Sequence, residues 1–396
     1  MQSVSEHKMD ISRARSETPG CSEVIHFNNA GAALMPQAVI DAQIEHLQLE
    51  ARIGGYEAAE VARDRVAACY TSIARLLNCS SAEIALVENA TVGWCLAFYA
   101  VDLKAGDRIL TTEAEYSSNY INYLKVARDR GAVIDVVPSD GSGQLDIEAL
   151  ERMIDGKVKL IAITHVPTNG GLVNPAAEVG RIARNHGILY LLDACQSPGQ
   201  IALDVEAIGC DFLSATGRKY LRGPRGSGFL YVRKALLETI EPPMLDNHAA
   251  VWTARDRFEL RPDARRFENW EFNYAAVLGL GAAVDYALSW GLDAIEERVI
   301  SLAGSLRTAL EEIPGVTTTD IGASKCGIVT FTKDGLEAPD VCAALRKQDI
   351  NVSNSTVKST RIDMERRGLS DILRASVHYY NTDQEIKRLC AAVAAL

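Results

Sequence analysis

The chain has no long hydrophobic run. Its longest apolar stretches, such as Leu160–Ile163 and Ile188–Leu192, are of strand length, far short of the roughly 18 residues that mark a membrane span. It has no basic block, and its net charge is -11, which argues against a nucleic-acid or anionic-membrane surface. No two cysteines have CxxC spacing. The nine of them, at 21, 69, 79, 95, 195, 210, 326, 342 and 390, are scattered, which leaves no zinc or iron–sulfur ligand set, predicts no metal, and reads as reduced thiols in a cytoplasmic protein. The opening MQSVSEHKMDISRARSETPG lacks an apolar h-region and carries both charge signs, so it reads as an N-terminal arm and not as a signal peptide. Repeats and low-complexity tracts are also missing. What remains is 47% hydrophobic and 23% charged over 396 residues. That is a globular composition, in a chain longer than the roughly 250–300 residues at which single cores split.

The informative stretch is Leu189–Gly228, with YLLDACQSPGQ and then CDFLSATGRKYLRGPRGSG. Leu189–Leu192 reads as a buried strand ended by Asp193, and a carboxylate at the carboxyl end of a parallel strand sits where open α/β sheets bind ligands. After a second strand piece, Phe212–Ser214, comes Thr216-Gly217-Arg218-Lys219 and a glycine-rich loop. A lysine among such neighbours suits an amine that must reach an aldehyde while phosphate is held nearby, since adjacent cations lower its pKa. Upstream, Glu88–Gly93 is a polar loop opening a helix. It is either an anion site made of free N–H groups or a segment in which Thr91 caps its helix. Strand Asp107–Thr112 delivers Glu113–Asn119, and strand Val158–Ile163 delivers Thr164–Gly171, a loop of the kind that carries function. Strands and helices alternate throughout this region. His248–Asp263 reads as irregular, and Tyr274–Trp290 as an Ala/Gly/Leu-rich helix.

These separated motifs resemble the class V aminotransferase family, the branch of fold-type I pyridoxal-phosphate enzymes that includes cysteine desulfurases, isopenicillin N epimerase and ergothioneine-pathway C–S lyases. The resemblance covers nearly the whole chain. It implies an α/β fold with an N-terminal arm over 1–25, a large domain with a mostly parallel seven-stranded sheet over 26–272, and a smaller α+β domain over 273–396. It implies pyridoxal 5'-phosphate as cofactor, joined to Lys219 as a Schiff base, with Asp193 on the pyridine nitrogen and Gln196 on the phenolate oxygen. Thr168, or Asn169 in its place, aligns with another phenolate contact. Ala90, Thr91 and Thr216 fall where phosphate is held, and Tyr116 where an aromatic ring stacks on the cofactor. Arg374, in RASVHYYNT, matches the arginine that receives the substrate α-carboxylate, a role suited to its planar fork. Asn28 and Asn29 fall in the segment over the active site. Arg218 stands where the family has histidine, and Arg222 and Arg225 either steer an acidic substrate or are solvated surface charges.

The resemblance leaves the reaction among three classes acting on an L-amino acid: a C–S lyase working by β-elimination, a transaminase, or an epimerase with Tyr116 or His165 as second acid–base group. A non-enzymatic protein of this fold is disfavoured because Lys219, Asp193, Gln196 and Arg374 are all present. Desulfurases need a nucleophilic cysteine shortly before the carboxylate-binding arginine, and Ala343–Leu373 contains none. That absence and the uncharged Tyr116 favour the lyase. The family also implies a homodimer, and this chain has Trp270-Glu271 where desulfurases present a threonine from the second subunit to the phosphate.

Overall fold

The computed structural model describes residues 9–396; residues 1–8 of the expected arm lie outside them. The rest of the arm is folded. It forms α1 (Ile11–Ser16), whose N-cap Asp10 accepts from the Arg13 N–H, and β1 (Ile25–His26). Helices α2 (Gln37–Ile53) and α3 (Gly55–Leu77) are parted only by Gly54, whose φ of 99° is a conformation side chains rarely adopt. Next come β2 (Ile84–Val87), α4 (Ala90–Ala100), β3 (Arg108–Thr112), α5 (Ser117–Arg130), β4 (Val133–Val137) and α6 (Ile147–Met153). The alternation continues through β5 (Val158–Thr164), α7 (Ala176–His186), β6 (Leu189–Asp193), α8 (Val205–Ile208), β7 (Phe212–Thr216) and β8 (Gly228–Val232).

These strands build the expected seven-stranded sheet, in the order β2-β8-β7-β6-β5-β3-β4, and β8 alone runs against the others. Its central strands are apolar on both sides, as a sheet covered on both faces requires. Ile161, Ile163, Tyr190, Leu192 and Leu213 enter one core, and Leu160, Ala162, Leu191 and Phe212 enter the other. This alternation is the two-residue period of the pleat.

Two segments differ from the sequence reading. His248–Asp263 is not irregular but carries the hairpin β9 (Ala250–Ala254) and β10 (Arg257–Leu260). Helix α9 (Tyr274–Trp290), expected at the head of the small domain, packs on α2 and α3, with the Cys69 thiol 3.6 Å from the Val277 carbonyl. Its buried residues run all round the helix, the pattern of a core element. The remaining elements are α10 (Leu292–Glu311), β11 (Val316–Thr318), β12 (Ile328–Lys333), α11 (Ala338–Arg346), β13 (Ile350–Asn351), β14 (Ser353–Thr356), α12 (Arg361–Arg366), β15 (Asp371–Ser376) and α13 (Asp383–Ala394). Four of these strands form an antiparallel sheet, β11-β12-β15-β14, and β13 pairs in parallel with β1 from the other end of the chain.

Arg222 ties these parts together and is neither a steering charge nor a solvated one. It is 1% exposed, has a left-handed φ of 62°, and has no carboxylate partner among the described residues. Its Nε donates to the Leu34 carbonyl at 2.8 Å, Nη1 to Tyr379 Oη at 2.6 Å, and Nη2 to Thr18 Oγ1. The guanidinium lies 4.6 Å from the Tyr380 ring centroid, an arrangement that stabilises a desolvated cation. Replacing it removes the donor from three acceptors, of which Thr18 and Tyr379 are buried, and a buried group left unpaired costs about 1–3 kcal/mol. Arg222→Met is therefore expected to cost about 3 kcal/mol or more of stability, read as a lower denaturant midpoint at unchanged slope.

Candidate active site

Parallel strands β5, β6 and β7 end side by side, with Thr164 opposite Asp193 and Asp193 opposite Ser214. Beyond their carboxyl ends lies a cavity of about 400 Å³. It gathers into one wall Ala90, Thr91, Tyr116, Thr168, Asp193, Gln196, Thr216 and Lys219, every residue expected at the cofactor.

The donors and acceptors fit pyridoxal phosphate. At the start of α4, Asn89 and not Thr91 is the cap: its Oδ1 accepts from the Val92 N–H at 3.0 Å. The Thr91 hydroxyl is thereby spared at a helix N-terminus that faces the cavity, a setting that favours anions. Asp193 is buried; its Oδ2 accepts from Asn119 Nδ2 at 2.8 Å and its Oδ1 from the Cys195 N–H at 2.9 Å. Burial pushes its carboxyl up, while these donors and the Lys219 charge act against that. Gln196 donates to the Ala30 carbonyl at 3.2 Å and leaves its Oε1 buried without a partner, for an occupant to satisfy. Burial holds the Lys219 amine below the ordinary lysine range, and Arg218 and Arg374 push the same way against Cys195 and Asp193. A neutral amine is what Schiff-base chemistry requires.

Several expectations are corrected. Asn29 does not face the cavity: it is buried and spends its Nδ2 on the Ser376 carbonyl at 2.7 Å and its Oδ1 on the Tyr380 hydroxyl. Thr168 reaches the cavity, but its Oγ1 accepts from Arg374 Nη1 at 2.6 Å, so it positions the arginine. Asn169 turns away to Thr360 Oγ1 at 3.0 Å. His165 lies behind the wall, with Nδ1 2.9 Å from Ser197 Oγ. Arg218 lines the cavity and donates from Nη1 to the Gly31 carbonyl. Thr216 Oγ1 donates to the Ser227 carbonyl at 3.2 Å. Arg374 stands just behind the lining, on Thr168, on Ser353 Oγ at 3.2 Å and 3.5 Å from Asn28 Oδ1. Asn28 is thus a neighbour of the arginine. Trp270 and Glu271 are exposed.

Sequence reasoning missed Asn89, Glu115 and the placement of Cys195. Asn89 carried a readable signal, a short polar residue just before an apolar helix. Cys195 lines the cavity between Asp193 and Gln196, in a run whose flanking residues had been recognised. Glu115 alternates with Glu113 at the end of β3, and nothing in the sequence says which one turns inward.

The model of the family described as aminotransferase class-V matches residues 25–389. A probable cysteine desulfurase of Xylella fastidiosa is 33% identical over 380 residues, covering 93% of this chain and 90% of its own. A cysteine desulfurase of Serratia proteamaculans is 32% identical over 400 residues, with 97% of each chain covered. The apo structure of a cysteine desulfurase from Thermococcus onnurineus NA1 superposes with a TM-score of 0.91 at 27% identity, over 98% of each chain.

Two expectations follow from this geometry. Lys219→Ala should abolish the borohydride-reducible mass addition of pyridoxal phosphate, read by intact mass spectrometry; an addition that persists would assign the amine elsewhere. Burial also holds the His165 imidazole down at about 4, below the ordinary 6.5. As pH falls through that window the unfolded chain takes up a proton that the folded one refuses. The imidazole's contribution to stability is then full above pH 6.5 and declines by about 1.4 kcal/mol per pH unit toward pH 4. Glu115, whose buried carboxyl is pushed up to about 7, contributes with the opposite sign over the same window, so the His165 slope is read as the difference between wild type and His165→Asn in urea unfolding at several pH values.

Proposed function

Because the chain belongs to the class V aminotransferase family of pyridoxal-phosphate enzymes, we propose that it is a C–S lyase for an L-amino acid carrying sulfur on Cβ. The thiol leaves by β-elimination, and water then converts the remainder to pyruvate and ammonia. The observation that carries the substrate class is Arg374. It is a buried guanidinium held only by neutral oxygens, those of Thr168, Ser353 and Asn28, with no carboxylate paired to it among the described residues. A cation so placed lacks an anion, and an amino-acid α-carboxylate supplies one in bidentate geometry.

When bound, pyridoxal phosphate supplies an electron sink for the charge left on the substrate Cα. The chain's own residues do the rest. Lys219, buried and held toward its neutral form, takes the proton from Cα and delivers it to the departing sulfur. Arg374 fixes the carboxylate, so that the Cα–H bond is presented to that amine. Asp193 keeps a proton on the ring nitrogen, because an ionised carboxylate favours the charged form of its partner. Ala90 and Thr91, at the start of α4, receive the phosphate, and Tyr116 covers the ring.

Elimination is supported over sulfur transfer by what precedes Arg374. The interval Ala343–Leu373 spans β13, β14 and α12 and contains no cysteine to accept sulfur from the substrate. The epimerase reading loses one of its two candidates, since His165 is walled off on Ser197.

We read the working unit as a homodimer in the cytoplasm. Trp252 at 78% exposure and Val251 at 63% on the β9–β10 hairpin, with Tyr56 at 79% on α3, present apolar surface that a second copy would cover. All nine cysteines are free thiols, and no single helix among the described residues is long and apolar enough to cross a membrane.

The test is a product assay on the loaded enzyme with cysteine, cysteine S-conjugates and their sulfoxides. Pyruvate and ammonia are expected in step with the sulfur product: hydrogen sulfide from cysteine, a thiol from an S-conjugate, a sulfenic acid from its sulfoxide. A keto acid retaining the substrate's carbon skeleton would make this a transaminase, and inversion at Cα an epimerase. Arg374→Ala should lower kcat/KM by about 100-fold, the effect of losing one partner of a buried charge pair.

A further inference from the structure

Outside the residues that touch cofactor or substrate, one group is built to an unusual specification. Glu115 is buried just past the end of β3, and each of its polar neighbours is a donor. Thr111 Oγ1 donates to Oε2 at 2.9 Å. Oε1 accepts from the Tyr116 N–H at 2.9 Å, Asn119 Nδ2 at 2.9 Å and Thr164 Oγ1 at 2.5 Å. A pocket of four donors and no cation is shaped for an ionised carboxylate.

The Asn119 amide carries the connection onward. Its Nδ2 donates to Glu115 Oε1 and also, at 2.8 Å, to Asp193 Oδ2. Both partners only accept when ionised, so the side-chain orientation is fixed and both amide hydrogens are committed. Two buried carboxylates from different strands thus share one amide group, and one of the two faces the cavity. The backbone N–H of Tyr116, which also lines the cavity, is held by the other.

We propose that Glu115 is a positioning residue of the reaction: through Asn119 it fixes the Asp193 carboxylate, and by its charge it sets how firmly the ring nitrogen of bound pyridoxal phosphate keeps its proton. The proposal rests on Asp193 being the partner of that nitrogen. A second negative charge behind Asp193 strengthens the field at the nitrogen, and removing it weakens the hold. A firmly protonated ring draws more charge from Cα, so Glu115 acts on the electron sink without touching it.

The charge is poised to change. Burial pushes the Glu115 carboxyl up to about 7; the Asp193 charge adds to that, and the donors from Thr164, Asn119 and Thr111 oppose it. The other titratable groups around it are the buried Tyr123 phenol of α5 and, behind Asp193, Lys219 and Cys195. On its outer side Glu113, Lys358 and Arg361 line the same surface groove, and Glu113 is paired with Arg366 at 2.9 Å. As pH rises through about 7 Glu115 ionises, and the ring nitrogen holds its proton more strongly, the reverse of a simple base.

The experiment loads the enzyme with cofactor labelled with ¹⁵N in the ring and follows that signal against pH. In the wild type it should move further toward its protonated value as pH rises through about 7. Glu115→Gln should remove this step. The glutamine oxygen serves the three donors on Oε1, and its NH₂ meets Thr111, whose hydroxyl rotates to accept. Thr164→Val keeps the carboxylate but deletes one donor, so the step should move up by about one pH unit. If Glu115→Gln does not fold, the Thr164→Val shift decides alone. Superimposable curves for all the proteins overturn the relay, and a wild-type nitrogen that carries no proton overturns the Asp193 reading with it.

Discussion

Three parallel strands run in register to the mouth of one cavity, and each role in it depends on that register. Thr164, Asp193 and Ser214 lie abreast on β5, β6 and β7. A slip of one residue in β6 would send the Asp193 side chain to the opposite face of the sheet and bring an apolar neighbour into the cavity. The register is held by the cores on both faces, because Tyr190 and Leu192 belong to one and Leu191 to the other. The helices behind the sheet sit tightly enough to keep it so. At Gly180 of α7, an added Cβ would lie 1.8 Å from the Ile208 carbonyl of α8, so these helices meet backbone to backbone.

The electrostatics of the cavity follow from burial more than from pairing. Lys219, Arg374, Asp193 and Glu115 are all desolvated, and burial is the first cause of each shift. None of the four is closed into a salt bridge among the described residues. The protein instead surrounds each with neutral dipoles: threonine and serine hydroxyls on Arg374, an amide and hydroxyls on Glu115, an amide and a backbone N–H on Asp193. Such groups stay responsive to whatever charge arrives with cofactor or substrate.

Much of this was legible in the sequence. The motif around Asp193 and Lys219 is local in the chain, and short apolar runs between turn residues mark the strands that carry it, so the sheet and the cofactor wall could be read from order alone. Contacts made across great sequence separation could not. Arg222 looked like a surface charge because its partners, Thr18, Leu34 and Tyr379, come from both ends of the chain. Asn29 looked available because Ser376 and Tyr380, which consume its amide, lie 347 and 351 residues away. Thr168 was read as a cofactor ligand because only the fold brings Arg374 onto its hydroxyl. The hairpin at β9 and β10 was missed because its burial pattern is almost wholly exposed, which erases the alternation that marks a strand.

The segment that Gln196 and Arg218 of the cavity wall grip by the Ala30 and Gly31 carbonyls is itself held by residues from the far part of the chain. Residues 25–34 are held by the β13 backbone, by Ser376 Oγ on the Ala30 N–H at 2.9 Å, and by Tyr380 Oη, which accepts from the Leu34 N–H at 3.3 Å. The last two contacts join residues 346 apart in the chain, and such contacts form slowly because the intervening loop must close first. The wall that carries Asp193 and Lys219 is built from strands much nearer one another in sequence, so the cofactor wall can stand before the segment beside it is fixed.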